Sequence, residues 1–187
     1  MRRAVFLDRD GTLIEEVGYL DRIDRVRFFP YSVDAVRLLN RAGFVVIVAT
    51  NQAGIARGFF DEAFVEATHR SLADTLAAGG ARVDGFYFCP HHPEATVASY
   101  RQACECRKPQ PGLLRRAAAD HQLDLRRSFV VGDRAHDIAA GTTVGAPSVL
   151  VRTGYGDHVE RSGRSFHGAA AVADNLMGAA SWILRQP

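Results

Sequence analysis

The chain has little of several things, and each scarcity excludes a class of protein. Three cysteines in 187 residues are too few, and an odd number, for the disulfide framework of a small secreted domain. No apolar run reaches the length needed to cross a bilayer. Met1-Arg2-Arg3 leads into only a short apolar run before Asp8, so neither a membrane span nor a signal peptide is expected. A formal net charge of +2, without any Lys/Arg run, leaves nothing to grip a nucleic-acid backbone. Repeats, linkers and shifts of composition are missing too, which predicts one domain over residues 1–187 with a sizeable core at 47% hydrophobic residues. The expectation is a soluble, cytoplasmic, monomeric protein whose partner is a small molecule. Scarcest of all is lysine: among 23 basic residues, Lys108 is the sole one.

What the chain does have is a series of short apolar runs separated by helix-like segments. Ala4–Leu7, Phe44–Ala49, Val83–Phe88, Ser128–Val131 and Ala146–Val151 read as buried strands, rich in Val, Ile and Phe. Between them, helical spacing or boundary residues predict helices from Ser32 to Gly43, Asp61 to Ala78, Gly112 to His121 and up to Val144. Val172 to Leu184 reads as a closing helix. Strands alternating with helices predict an α/β fold: a doubly wound parallel sheet, helices on both faces, right-handed crossovers and no residues left over for a cap domain. Residues 13–31 read as a loop or small hairpin over the sheet edge, and the segment from Gly154 as a loose polar stretch.

In such a sheet, ligands collect at the carboxyl ends of the strands, and polar residues follow the runs there. Asp8 and Asp10 follow the first, with Gly11 allowing the chain to turn. The Asp8 carboxylate and the carbonyl of residue 10 can then share a cation while the Asp10 carboxyl handles a proton; an Asp-rich turn would produce the same letters. Thr50-Asn51-Gln52 follows the second run, where a hydroxyl and amides can donate to phosphate oxygens, although Thr50 could instead cap a helix. Asp133 follows the fourth and completes a carboxylate set suited to Mg²⁺; it too could be a cap. Asp137, one helical turn on, can support that set or Lys108.

Cys89-x-His91 and Cys104-x-Cys106 face each other across a loop of residues 89–108 that has little apolar content. Three thiolates and one imidazole fill a tetrahedral Zn²⁺ with no open position, the composition of a structural site. His92 stands as an alternative to His91. Directly after this pinned loop comes Lys108, where a chain that otherwise uses arginine places a compact point charge. On this reading the zinc does no chemistry and holds Arg107 and Lys108 still.

Asp8-x-Asp10-Gly11-Thr12, Thr50-Asn51, Lys108 and Gly132-Asp133-x-x-x-Asp137 together resemble the four signature motifs of the haloacid dehalogenase superfamily of phosphatases. The cysteine pairs resemble its small, capless, zinc-containing branch. The resemblance implies Asp8 as nucleophile, Asp10 as general acid and base, Thr50 and Lys108 as phosphoryl anchors, and Mg²⁺ held by Asp8, the Asp10 carbonyl and Asp133. It further implies a substrate lined by Arg9, Glu16, Gly18, Tyr19, Asn51, Gln52, Ala53, Arg107 and Arg134, with Arg107 on a distal phosphate. Within the branch, a heptose bisphosphate is the substrate favoured by Asn51-Gln52-Ala53-Gly54-Ile55-Ala56-Arg57-Gly58 and the long zinc loop. Gly132-Asp133-Arg134-Ala135 is closer to the histidinol-phosphate enzymes, and an inactive zinc-binding scaffold is the third reading.

Overall fold

A computed structural model describes residues 1–162 and 168–187 of the protein. Its strands are β1 (Ala4–Leu7), β2 (Val45–Asn51), β3 (Gly85–Cys89), β4 (Phe129–Gly132), β5 (Ser148–Val151) and β6 (Ala169–Ala173). They form one sheet in the order β3-β2-β1-β4-β5-β6, every neighbouring pair parallel. β1 lies in the middle, with Phe6 in register with Ile47 on one side and Val130 on the other. The chain winds outward from it in both directions, so the crevice at the end of β1 is the switch point where such folds hold ligands.

Alternation along the strands divides the core. Val5 and Leu7 point with Val46, Val48 and Val131 toward α1 (Ser32–Arg41), α3 (Glu62–Ala78) and α7 (Leu176–Ile183). Ala4 and Phe6 point the other way with Ile47 and Val130, against Leu114 and Ala117 of α4 (Gly112–His121) and Ala140 of α5 (Ala135–Thr143). Because both faces are covered, the central strands are apolar at consecutive positions, which is why they read as continuous runs. Ile14 bridges antiparallel to Phe28, making residues 13–31 the small hairpin-like arch foreseen over the sheet edge.

The structure corrects several boundaries. The expected closing helix from Val172 is in fact β6 followed by α7. Ala169–Ala173 carries alanines that favour a helix in isolation, and pairing with β5 overrides that preference. Asn175 then caps α7, its side chain accepting from the Gly178 amide at 3.0 Å. Ser32 is the first residue of α1, as expected, but the helix ends at Arg41, short of Gly43; the Ser32 hydroxyl donates to the Leu13 carbonyl at 2.6 Å. Between β2 and α3 the chain makes a further one-turn helix, α2 (Ala53–Ala56), that the apolar spacing did not predict. The polar stretch from Gly154 contains α6 (Gly156–Ser162); its remainder, residues 163–167, lies outside the described residues.

Candidate active site

Four strand ends meet over a cavity of about 280 Å³. Asp8 leaves β1, Thr50 and Asn51 end β2, Cys89 ends β3 and Asp133 follows β4. Neither Thr50 nor Asp133 caps a helix: Thr50 lies within β2, and the cap of α5 is Arg134.

The floor is a buried charge cluster. Lys108 donates from Nζ to the Ala49 carbonyl at 2.7 Å and forms ion pairs with Asp8 Oδ1 at 2.9 Å and Asp137 Oδ1 at 2.6 Å. Those three partners match the three donors of an ammonium. Burial pushes the Asp8 carboxyl up, but Lys108, His136 and the Arg9 amide outweigh it and hold Asp8 below the usual carboxylate value. Asp8 is therefore an ionised carboxylate. Asp137 is held on its other side by the Arg134 amide, which donates to Oδ2 at 3.0 Å. Its approach requires Gly132, where any Cβ would stand 2.3 Å from the Asp137 carboxylate.

Asp133 is the carboxylate that Lys108 does not neutralise. Its Oδ2 accepts from the Tyr155 amide at 2.8 Å, while its buried Oδ1 has no partner among the described residues. Burial, then Asp8 and Asp137, push its pKa up to about 8. A buried carboxylate with a bare oxygen beside another carboxylate suits a hard divalent cation. Gly11 shapes the cradle: at φ +78° it brings the backbone against Asp133, where a Cβ would lie 2.3 Å from Oδ2. The residues thus fit Mg²⁺. Asp8, His136 and Asp137 also converge, but the Lys108 ammonium supplies the positive charge there.

The sulfur ligands converge as well. Cys89 Sγ lies 3.5 Å from Cys104 Sγ and 3.0 Å from Cys106 Sγ, and Cys104 and Cys106 are 3.3 Å apart. His91 Nδ1 is 3.8 Å from Cys89 and 3.4 Å from Cys106. The three sulfur–sulfur edges are tighter than the roughly 3.8 Å of a tetrahedron with Zn–S bonds of about 2.3 Å. The donor set fits Zn²⁺, and His91 is its imidazole; His92 faces the cavity and its Nδ1 accepts from the Glu94 amide. Arg107 donates to the His91 carbonyl at 3.2 Å. Lys108 is also pinned from β2. Asn51 donates to its carbonyl and accepts from its amide, each at 3.0 Å.

Around the mouth, Glu16 accepts from the Gly18 amide at 2.6 Å and from Arg134 at 3.4 Å. The Arg134 guanidinium lies 3.6 Å over the Tyr155 ring. Tyr19 leans on Phe59 with centroids 4.6 Å apart, and Arg57 sits 5.9 Å from the Tyr19 ring. Gln52, Ala53 and Arg107 complete the wall. Every substrate-lining residue expected from the sequence borders the cavity except Lys108, which is buried in its floor. Arg9 does so with its guanidinium engaged on Asp10 and Gln52. Arg57, His136 and Tyr155 were missed. His136 was legible as a polar residue inside the Gly132–Asp137 motif, and Tyr155 as an aromatic between two glycines; Arg57 sat in the stretch that favoured a heptose bisphosphate, with no role of its own given to it.

A parallel sheet that gathers an ionised aspartate, a buried ammonium and a carboxylate with a bare oxygen at the end of its central strand is the arrangement of a haloacid dehalogenase-like hydrolase. The HAD-hydrolase-like family model matches residues 105–179. A D-glycero-beta-D-manno-heptose-1,7-bisphosphate 7-phosphatase of Rhodopseudomonas palustris is 47% identical over 78% of this chain and 81% of its own length. A D-glycero-D-manno-heptose-1,7-bisphosphate 7-phosphatase of Thermosynechococcus vestitus is 44% identical over 97% and 95%. The crystal structure of a D,D-heptose 1,7-bisphosphate phosphatase from B. bronchiseptica, complexed with magnesium and phosphate, superposes with a TM-score of 0.88 at 33% identity, covering 99% of each chain. The chain belongs to the haloacid dehalogenase-like phosphatases, in the family of these heptose-bisphosphate 7-phosphatases.

Proposed function

We propose that the whole 187-residue chain acts as one capless Mg²⁺-dependent phosphatase. It removes the 7-phosphate of D-glycero-D-manno-heptose 1,7-bisphosphate through an aspartyl phosphate. The observation that carries this reading is the ionised Asp8 beside Lys108, at the floor of a cavity whose wall holds Arg57, Arg107 and Arg134. A floor built for one phosphoryl group and a cationic wall suit a substrate with two phosphates. Histidinol phosphate carries only one and would bring no second anion to Arg57 and Arg107, whereas Arg134 already pairs with Glu16.

An Asp8 oxygen attacks phosphorus, and the bond from phosphorus to the sugar oxygen breaks. The leaving oxygen takes the proton of Asp10, which later removes one from the water that attacks phosphorus and frees Asp8. Thr50 and Lys108 anchor the phosphoryl oxygens, Lys108 by redirecting the N–H that pairs with Asp8 Oδ1, and Arg107 holds the distal phosphate by its planar fork. Asp8, the Asp10 carbonyl and Asp133 would hold Mg²⁺, which when bound supplies positive charge against the phosphoryl oxygens. Cys89, His91, Cys104 and Cys106 would hold a structural Zn²⁺. The protein is assigned to the cytoplasm as a monomer, within nucleotide-heptose synthesis for lipopolysaccharide or capsule. Among the described residues, no helix is long and apolar enough to span a membrane. Phosphate release from both anomers of the heptose bisphosphate, from histidinol phosphate and from a heptose monophosphate tests the assignment. The bisphosphate is expected to give the highest kcat/KM; preference for histidinol phosphate would overturn it.

A further inference from the structure

Arg9 is the largest of the fully buried side chains, and it lies directly behind the group read as the acid. Its Nε donates to Asp10 Oδ2 at 3.1 Å, and its Nη2 donates to Asp10 Oδ1 at 3.1 Å. Nη2 also donates to Gln52 Oε1 at 2.9 Å. The Gln52 amide closes the ring, donating to Asp10 Oδ2 at 3.0 Å and to the Thr50 hydroxyl at 2.8 Å. Asp10 is thus gripped on both oxygens by donors from two strand ends, and what remains open of its carboxyl faces the cavity. Nε and Nη2 of this buried guanidinium are thus committed to Asp10 and Gln52.

We infer that Arg9, with Gln52, is a positioning clamp that fixes the Asp10 carboxyl in line with the leaving oxygen. The inference rests on the phosphatase reading above and deepens it. In the step concerned, the phosphorus–oxygen bond breaks toward the leaving group, the electron pair stays on that oxygen, and the Asp10 proton moves onto it. A misaimed acid hurts only those esters whose leaving oxygen needs the proton. That selectivity separates a clamp from a residue that merely supports the fold.

The test compares kcat/KM, which reports phosphoryl transfer to Asp8, for the sugar phosphate and for p-nitrophenyl phosphate, whose leaving group departs as a stable anion. Arg9→Met is expected to lower the value about 10²-fold for the sugar phosphate and by under about 10-fold for the aryl ester. Arg9→Lys should restore part of the difference. Combining Arg9→Met with Asp10→Asn should add little beyond Asp10→Asn alone, because the two act as one unit. Should Arg9→Met fail to fold, Gln52→Met carries the same comparison with a smaller bias. Equal losses on both esters, while Asp10→Asn keeps its bias, would overturn the clamp and leave the phosphatase reading intact. Wild-type protein that cleaves neither ester would overturn both.

Discussion

The floor of the cavity and its rim are built by opposite means. At the floor, Lys108, Asp133 and Asp137 are 3% exposed or less, and Lys108 is held through its ammonium, its amide and its carbonyl. At the rim, Tyr19, Phe59 and Tyr155 are 41% exposed or more and meet other residues through ring faces and guanidinium planes. A buried ionic cluster tolerates little displacement, because an unpaired charge there is costly. Stacked surface rings can slide at small cost. On the proposed function, the difference suits the floor to one invariable phosphoryl group and the rim to the part of the substrate that varies.

The largest expected effect lies at the floor. Asp8→Asn removes the attacking carboxylate and should lower kcat by about 10⁴-fold or more, with heptose bisphosphate and a simple sugar phosphate losing equally. Appreciable turnover by the purified variant would refute covalent catalysis. Next comes the segment linking floor and rim. Cys104→Ser should release zinc and lower kcat/KM about 10–100-fold, as loss of support behind positioned groups does. Metal content by mass spectrometry alongside kinetics checks this, and full activity without metal would contradict it. Arg107→Ala acts at the rim alone. It should cost the bisphosphate about 10-fold or more in kcat/KM and a monophosphate little, and equal losses would remove Arg107 from the distal phosphate.

The smallest effect lies behind the floor. His69 of α3 is buried against Phe86, and burial, then Arg9, lowers its pKa from 6.5 to about 3. Between those values the unfolded chain takes up a proton that the folded chain refuses. The folded state therefore keeps its full stability above 6.5 and loses it as the pH falls toward 3. The loss is about 1.4 kcal/mol per pH unit, so about 2 kcal/mol near pH 5. His69→Phe should remove that part of the acid sensitivity in urea titrations at pH 7 and pH 5. An unchanged difference between the two pH values would show that His69 does not carry it.

The parts of this molecule that could be read without coordinates are those where one residue type has one physical use. Apolar runs on strands covered on both faces, three thiols beside an imidazole, and a lone lysine among arginines were of this kind. β6 was not, because its alanines become a strand only through a neighbour that local periodicity does not record. The amides of the site were illegible in a different way. Asn51 and Gln52 were expected to face substrate and do border the cavity, yet Asn51 binds the backbone of Lys108, 57 residues away, and Gln52 binds Asp10. An amide has both donors and acceptors and serves either use equally well, so only the fold decides between them. Arg9 was ambiguous for a similar reason, since a guanidinium beside an acid can face a phosphate or hold the acid; it borders the cavity and grips Asp10.

The sheet order has a consequence for how the protein comes to be active. β1 pairs with β4 through Val5 and Phe129, so Asp8 and Asp133, which would share the cation, meet only after more than a hundred intervening residues have been synthesised. Contacts of such sequence separation are slow to form, since a long loop must close before they repay it. During refolding, recovery of phosphatase activity would therefore lag behind the appearance of helical signal. The enzyme's own turnover becomes a clock for the last docking event of its fold.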